Sequence, residues 1–126
     1  MLTKGTNEII LDAYNANPSS MKVAIDNFLQ LDKPNKCIII GDMFELGDES
    51  LIEHQAIIDF LRNQNEVRCY FVGADFYSQL TVKPHFHFFK TFDNFSEFIV
   101  NNQPKNSIVL IKGSRGMALE RTLELL

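Results

Sequence analysis

The stretch Ile9-Ile10-Leu11-Asp12-Ala13-Tyr14-Asn15-Ala16-Asn17-Pro18-Ser19-Ser20-Met21 passes from an apolar, strand-like run into a helical pattern through an acid, an aromatic ring, two amides and a proline. In α/β proteins such a change marks the carboxyl end of a strand, where ligands bind. Near the other end of the chain, Lys112-Gly113-Ser114-Arg115-Gly116-Met117 follows an apolar run in the same way. The two stretches predict polar strand ends in an α/β domain.

Apolar, β-rich runs alternate with helical patterns along the whole chain. The runs cover residues 8–11, 37–40, 67–72, 85–89 and 108–111, and the helical patterns cover residues 19–31, 51–62, 75–80, 95–102 and 117–126. Runs that are apolar throughout are typical of a parallel sheet covered on both faces. Met1–Lys4 could add an antiparallel strand that turns back through Gly5-Thr6-Asn7. The pattern predicts a Rossmann-like, three-layer αβα fold whose mostly parallel sheet has five to six strands.

The composition indicates a single domain over residues 1–126. Hydrophobic residues make up 45% of these 126 residues, and the net charge is -4. That charge argues against nucleic-acid binding, which needs a basic face. No apolar run approaches the roughly 20 residues of a membrane-spanning helix, and no signal peptide opens the chain, so we expect a cytoplasmic protein. Cys37 and Cys69 fall inside predicted strands without a second metal ligand at suitable spacing, which favours buried thiols over a metal site.

The first candidate site follows the first long strand. Tyr14, Asn15 and Asn17 could present a ring and amide groups to a heterocycle or a ribose. The carboxylate of Asp12 could accept hydrogen bonds from hydroxyl groups. The alternative interpretation is the start of a helix, with Asn17 or Ser19 as its N-cap.

The second candidate site follows the last strand. Small residues there would let the backbone approach a ligand, and a following helix would offer free N–H groups to an anion. Lys112 and Arg115 would add positive charge, and Ser114 would add a hydroxyl donor. Arginine can hold a carboxylate or a phosphate through two parallel hydrogen bonds. The alternative is a solvated turn with a serine cap and two surface cations.

The third candidate site is a loop bounded by Gly41 and Gly47 that contains Asp42 and Glu45. A carboxylate there could orient an amine or a metal-bound water, although such acids more often cap the next helix or stay solvated. His54 lies on the first turn of the following helix, where it could face a cleft. A surface or capping histidine is the simpler interpretation.

Helical spacing predicts which faces the first two helices bury. On the first helix the buried face comprises Met21, Ala24, Ile25, Phe28 and Leu29. On the second helix it comprises Ile52, Ala56, Ile57, Phe60 and Leu61.

Taken together, the three motifs resemble the C-terminal domain of the Mur ligases. They come in the family's order and span nearly the whole chain: Asp12 to Met21, then Gly41-Asp42-Met43-Phe44-Glu45-Leu46-Gly47 with His54, then Lys112 to Met117 with Glu120. The motif Tyr14-Asn15-Ala16-Asn17-Pro18 resembles that of the MurF type, which adds D-alanyl-D-alanine to UDP-N-acetylmuramoyl-tripeptide.

The resemblance implies a cytoplasmic, three-domain ligase of peptidoglycan synthesis that uses ATP and Mg²⁺. The partner of this domain would be the central ATPase domain of the same chain, which would carry the P-loop and the magnesium ligands. The resemblance also implies roles for single residues. It places Asp12, Tyr14, Asn15 and Asn17 beside the nucleotide. It places Lys112, Ser114 and Arg115 near the dipeptide carboxylate and the transferring phosphate. The residues that would line the closed cleft are Asp42, Glu45 and His54.

The chain departs from a complete ligase because residues 1–126 contain no phosphate-binding P-loop. Gly5-Thr6-Asn7 is followed by Glu8, and it precedes a strand instead of joining a strand to a helix. We therefore expect these residues alone to show no ligase activity and at best weak ATP binding.

Two other functions remain open from the sequence. A receiver-like signalling domain has a similar length and order of elements, and Asp12, Asp75 and Lys112 superficially match its acid, phospho-acceptor and lysine. A free-standing nucleotide-binding module is the other alternative. The ligase interpretation requires Tyr14 and Arg115 to share one concavity that another domain completes.

Overall fold

The computed structural model describes residues 1–126. Its strands are β1 (Leu2–Lys4), β2 (Asn7–Asp12), β3 (Lys36–Gly41), β4 (Arg68–Val72), β5 (Phe86–Phe89) and β6 (Ile108–Lys112). Its α-helices are α1 (Pro18–Leu29), α2 (Ser50–Leu61), α3 (Ala74–Tyr77) and α4 (Phe92–Ile99). Short 3₁₀ helices cover Gly47–Glu49, Arg115–Met117 and Leu119–Leu125.

The six strands form one sheet in the order β1-β2-β6-β3-β4-β5. Strands β2 to β6 are parallel to their neighbours, and β1 pairs with β2 in the antiparallel direction. The predicted α/β class and the antiparallel strand near the N-terminus are confirmed. Because the parallel strands point the same way, their carboxyl ends meet at a single edge of the sheet, which we call the carboxyl edge.

Helices cover both faces of the sheet and give two hydrophobic cores. One core joins α1, α2 and α3 to inward-facing residues such as Ile38 and Ile40, and the other joins α4 and the C-terminal segment to Cys37 and Ile39. The alternation along β3 is the ordinary period of a strand. The three-layer prediction is confirmed, and both cysteines are free, buried thiols. No helix has the length and apolar character that crossing a bilayer requires.

Helix α1 begins where the sequence supplies a complete set of start signals. Oδ1 of Asn17 accepts a hydrogen bond from the backbone N–H of Ser20 at 2.9 Å, and Oγ of Ser20 accepts one from the N–H of Asn17 at 3.0 Å. Pro18 occupies the first turn, where its missing N–H costs nothing. The predicted face is confirmed: Met21, Ile25 and Phe28 are buried, with Ala24 and Leu29 packed beside them.

Helix α2 buries only part of the predicted face, since Ile57 and Leu61 are buried as expected. Its buried residues are His54, Ile57, Ile58 and Leu61, whereas Ile52 and Phe60 are exposed. The helix is apolar on two sides, so spacing alone does not decide between them. The buried face is the one that brings His54 under the loop after β3, where its ring nitrogens find backbone partners.

The predicted helix over residues 117–126 is wrong. The segment forms two 3₁₀ turns separated by Ala118, whose φ of 51° lies in the left-handed region. A left-handed residue interrupts α-helical hydrogen bonding. In exchange, the break brings Leu119 against Gly41 and Gly113, where a Cβ at either glycine would approach its Cδ1 within 3 Å. The expected helix N-terminus for an anion is therefore absent.

Candidate functional site

A partly buried ion pair joins the carboxyl ends of β2 and β6. Nζ of Lys112 donates to Oδ2 of Asp12 at 2.7 Å and to the carbonyl oxygen of Asn15 at 3.0 Å. The side chain of Lys112 is 1% exposed, while that of Asp12 is 48% exposed. The expectation that Lys112 offers its charge to an anion or to solvent is not met, because its side chain is buried and two of its three N–H donors are bound within the fold.

Tyr14 and Arg115 lie together above this pair. The guanidinium carbon of Arg115 stands 5.0 Å from the centre of the Tyr14 ring, and Tyr14 is 70% exposed. An exposed contact of this kind contributes about 0.5–1 kcal/mol. The two residues line an open cavity with a volume of about 330 Å³ together with Leu11, Asp12, Ala13 and Glu120. We call Asp12, Tyr14, Arg115 and Glu120 the half-cleft; its existence meets the requirement that Tyr14 and Arg115 share one concavity.

Ser114 does not present a free hydroxyl to this surface. The residue is buried, and its Oγ accepts a hydrogen bond from the N–H of Phe44 at 2.8 Å and lies 3.5 Å from the carbonyl oxygen of Ala16. The side chain of Asn17 is likewise committed, because it caps α1. Of the two amides expected to face a ligand, the side chain of Asn15 alone is left exposed without an internal role.

Asp42 uses its carboxylate inside the protein. Its Oδ2 accepts from the N–H of Asp75 at 2.9 Å and its Oδ1 from the N–H of Phe76 at 3.0 Å. Burial raises the pKa of Asp42 above its usual value, and the two backbone hydrogen bonds oppose that shift. Gly73 makes the arrangement possible: its φ is 131°, and a Cβ there would lie 2.3 Å from the carboxylate carbon of Asp42.

His54 is fully buried and ties α2 to the loop after β3. Its Nε2 accepts a hydrogen bond from the N–H of Met43 at 3.0 Å, so the ring proton must lie on Nδ1, which donates to the carbonyl oxygen of Ser50 at 2.7 Å. Nε2 is 3.9 Å from Oδ1 of Asp42, too far for a hydrogen bond. The expected surface position of His54 is wrong, since the backbone offered both ring nitrogens a partner.

Asp42, His54 and Asp75 form a cluster whose potential ligand atoms lie within 4.8 Å of one another. We call it the Asp42 cluster. It does not fit a divalent cation such as Mg²⁺, because backbone N–H groups occupy both oxygens of Asp42 and Nε2 of His54. The carboxylate of Asp75 is the only one of the three side chains in the cluster without a hydrogen-bond partner in the fold. Lys112 pairs with Asp12 and not with Asp75, whose backbone N–H binds Asp42, so the acid–lysine arrangement of a receiver domain is not formed.

Glu45 lies on the loop between the two regions. Its side chain is exposed, and its φ of 65° places it in the left-handed region that few non-glycine residues adopt. No contact in the fold assigns its carboxylate a role, and its place in a closed cleft stays a prediction. Sequence reasoning missed the part played by Gly73, although a glycine directly between an apolar run and a helical pattern was a usable signal.

The chain matches known proteins over nearly all its length. The family model described as Mur ligase, glutamate ligase domain, matches residues 1–115. The UDP-N-acetylmuramoyl-tripeptide–D-alanyl-D-alanine ligase of Rickettsia prowazekii is 34% identical over 98% of this chain, and its counterpart in Borreliella burgdorferi is 30% identical over 99%. A crystal structure of MurF from Acinetobacter baumannii superposes on 98% of the chain with a TM-score of 0.76 and 32% identity.

All these matches leave most of the relative unaligned. The chain spans 30% of the Rickettsia protein, 28% of the Borreliella protein and 28% of the Acinetobacter chain.

Proposed function

The chain belongs to the Mur ligase family, and from that membership we propose that it forms the C-terminal domain of an ATP-dependent ligase in peptidoglycan synthesis. The proposed reaction joins D-alanyl-D-alanine to UDP-N-acetylmuramoyl-tripeptide, the reaction named for its relatives. Since the chain spans less than a third of those relatives, the proposed partner is the rest of a longer ligase, including a central ATPase domain. The proposed location is the cytoplasm.

The observation that carries the proposal is the half-cleft at the carboxyl edge. It combines an exposed aromatic ring, a guanidinium group over that ring and a half-exposed carboxylate on one concave surface. These groups suit a substrate with a flat base, hydroxyl groups and an anion. One wall is present, and a second domain would supply the other.

The proposed chemistry begins when ATP converts the terminal carboxylate of the peptide into an acyl phosphate. The amine of the dipeptide then attacks the carbonyl carbon, and phosphate leaves. The residues of this chain bind and orient. Arg115 would hold a carboxylate or phosphate through parallel hydrogen bonds, Tyr14 would pack on the nucleotide base, and Asp12 would accept from ribose hydroxyls. Closure of the two walls would exclude water, which would otherwise hydrolyse the acyl phosphate.

Hydrogen bonds within the fold limit which of the predicted site residues can touch the substrates. Lys112, Ser114 and Asn17 have internal partners, so we propose that they support the half-cleft from behind while Asp12, Tyr14, Asn15 and Arg115 touch the substrates. The residues of this domain do not fit Mg²⁺, and its ligands are proposed to lie in the central domain.

Phosphate release by the full-length protein tests the proposal. We expect release that depends on both D-alanyl-D-alanine and UDP-N-acetylmuramoyl-tripeptide, and an Arg115→Ala variant should lose about tenfold or more in kcat/KM because a charge-assisted contact is removed. Arg121→Ala is the matched control, since Arg121 also stacks on an aromatic ring, at 3.9 Å from Phe92, and is exposed.

Two results would overturn the proposal. One is full-length protein that releases no phosphate in response to the dipeptide. The other is appreciable dipeptide-dependent turnover by residues 1–126 alone, since they contain no phosphate-binding loop.

A further inference from the structure

We propose that Ser114 is a positioning residue: its buried hydroxyl fastens three strand-end loops together and thereby sets where the Arg115 guanidinium lies against Tyr14. The effect that we expect on substrate turnover rests on the proposed function, whereas the effect that we expect on the position of Arg115 does not. The inference replaces the expectation that Ser114 itself touches the substrate.

Ser114 lies in the loop after β6, and its contacts reach the loops after β3 and β2. Its Oγ accepts from the N–H of Phe44 in the loop after β3 and lies 3.5 Å from the carbonyl oxygen of Ala16 in the loop after β2. Its own N–H donates to the carbonyl oxygen of Asp42 at 3.3 Å. A hydroxyl group has one proton to donate, and the carbonyl oxygen of Ala16, at 3.5 Å, is the acceptor that the fold offers to it. Little capacity is therefore left for a ligand.

These contacts bracket Arg115 on both sides. Ser114 fixes the backbone immediately before it. Gly116 follows it, and the Phe44 ring packs so closely there that a Cβ on Gly116 would lie 2.7 Å from Cε2. The same hydroxyl that holds the N–H of Phe44 thus also holds the ring that covers Gly116. The third loop carries Tyr14, so one side chain connects both partners of the stacked pair.

The strand β6 supplies a matched control at its opposite end. Ser107 precedes β6 as Ser114 follows it, and the two are 4% and 8% exposed. Oγ of Ser107 also serves two partners, since it donates to the carbonyl oxygen of Lys105 at 2.9 Å and accepts from Nη2 of Arg68 at 3.0 Å. Ser107→Ala therefore removes a comparable buried hydroxyl far from the half-cleft.

The structural test uses nuclear magnetic resonance on the full-length protein with isotope-labelled arginine. Because the guanidinium of Arg115 lies over the Tyr14 ring, we expect the ring current to shift its side-chain resonances to high field, and Tyr14→Leu gives the value without that ring. We expect Ser114→Ala to move these resonances at least halfway to the Tyr14→Leu value, and Ser107→Ala to leave them in place. Ser114→Thr, which keeps the hydroxyl, should retain most of the shift. Wild-type resonances in folded Ser114→Ala would overturn the inference.

The kinetic test is a double-mutant cycle in the full-length protein. We expect a loss in kcat/KM of about fivefold for Ser114→Ala, about tenfold for Arg115→Ala and about tenfold for the double variant, because the two residues act through one contact. A loss of about fiftyfold in the double variant would mean that Ser114 acts independently of Arg115, which contradicts the inference. If Arg115→Ala loses nothing, the proposed contact of Arg115 with the substrates is wrong, and the resonance experiment alone decides the role of Ser114.

Discussion

The half-cleft and the Asp42 cluster occupy equivalent places at the carboxyl edge, yet they use their polar groups in opposite ways. In the Asp42 cluster, backbone N–H groups occupy both oxygens of Asp42 and one ring nitrogen of His54. In the half-cleft, Tyr14 and Arg115 stay exposed and touch each other. A polar strand end therefore indicates a ligand site only where hydrogen-bonding capacity remains after folding.

This difference separates stability from function. Changes in the Asp42 cluster should lower the free energy of unfolding, because they leave buried donors without acceptors. Changes at the exposed Tyr14 and Arg115 of the half-cleft should leave that free energy nearly unchanged and act on the substrates instead, whereas Asp12 contributes to both because it pairs with the buried Lys112. The predictions below test the separation, in order of decreasing expected effect on the free energy of unfolding.

Gly73→Ala should have the largest effect. The new Cβ would meet the carboxylate of Asp42 at 2.3–2.5 Å, and the φ of 131° is unfavourable for alanine. We expect a loss of about 3 kcal/mol in urea unfolding, from overpacking together with backbone strain. Gly5→Ala is the control, because Gly5 also has a positive φ and nothing lies within 4 Å of its Cβ position. Equal losses for the two variants would mean that the contact with Asp42 is unimportant.

Asp12→Ala tests the one pair that links the half-cleft to the interior. Lys112 would keep only the carbonyl oxygen of Asn15 as a partner for a buried ammonium group. We expect a loss of about 2 kcal/mol, less than for a fully buried pair because Asp12 is half exposed. Removing the charge as well, in Asp12→Ala with Lys112→Met, should restore most of the stability.

An exposed ion pair provides the comparison for Asp12. Lys33 donates to Glu8 at 2.8 Å, and both side chains are largely solvated. Glu8→Ala should therefore cost no more than about 0.5 kcal/mol. If Asp12→Ala lowers the free energy of unfolding by no more than Glu8→Ala does, the ammonium group of Lys112 must be hydrated by water once its partner is removed.

Glu45→Gly should raise the free energy of unfolding. The left-handed backbone at Glu45 is strained for a side chain with a Cβ, and glycine removes the strain at some cost in unfolded-chain entropy, for a net gain of about 0.5 kcal/mol. Glu45→Ala keeps the Cβ and should change thermal stability little. If Glu45→Gly is more stable and yet less active, the predicted cleft-lining role of the carboxylate is supported; destabilisation would mean that the side chain makes contacts in the folded protein.

The sequence was sufficient to predict the fold because its signals are local. Uninterrupted apolar runs such as Cys37 to Ile40 required burial on both faces, and Asn17 and Pro18 marked the start of α1 within one residue. The C-terminal segment could not be predicted in the same way. Its apolar spacing suits a helix, but the left-handed turn at Ala118 accompanies the packing of Leu119 on Gly113 and on Gly41, and Gly41 is distant in sequence.

For the candidate site, sequence could predict the location better than the roles. Tyr14 and Arg115 come together as expected because their strands are neighbours in the sheet. The burial of Lys112 and Ser114 depends on partners 100 and 70 residues away, and that of His54 depends on which of two apolar faces α2 turns inward. Local patterns contain no information about such partners.

The charge of Asp42 gives a prediction about pH. Burial raises its pKa in the folded protein, so the folded state takes up the proton at a higher pH than the unfolded chain does. As pH falls from neutral towards the ordinary value of 3.8, this carboxyl group should therefore contribute progressively more favourably to stability. Urea unfolding of wild type and Asp42→Asn at several pH values measures the trend. A difference that moves against wild type on acidification would mean that the two backbone hydrogen bonds outweigh burial.

Tyr14→Leu should have the smallest effect on stability and is the sharpest test of the comparison. Because the Tyr14 ring is mostly solvated, its loss removes little buried area, and so exposed a contact with Arg115 contributes at the low end of the range for such pairs, about 0.5 kcal/mol. We expect unfolding to change by no more than about 0.5 kcal/mol, while the KM of the full-length protein for ATP rises. Tyr77→Leu is the control, since Tyr77 is also exposed but lies on α3, outside the half-cleft. If both variants leave every kinetic constant unchanged, the exposed ring is an ordinary surface residue, and spare polar capacity at the carboxyl edge does not by itself identify a site.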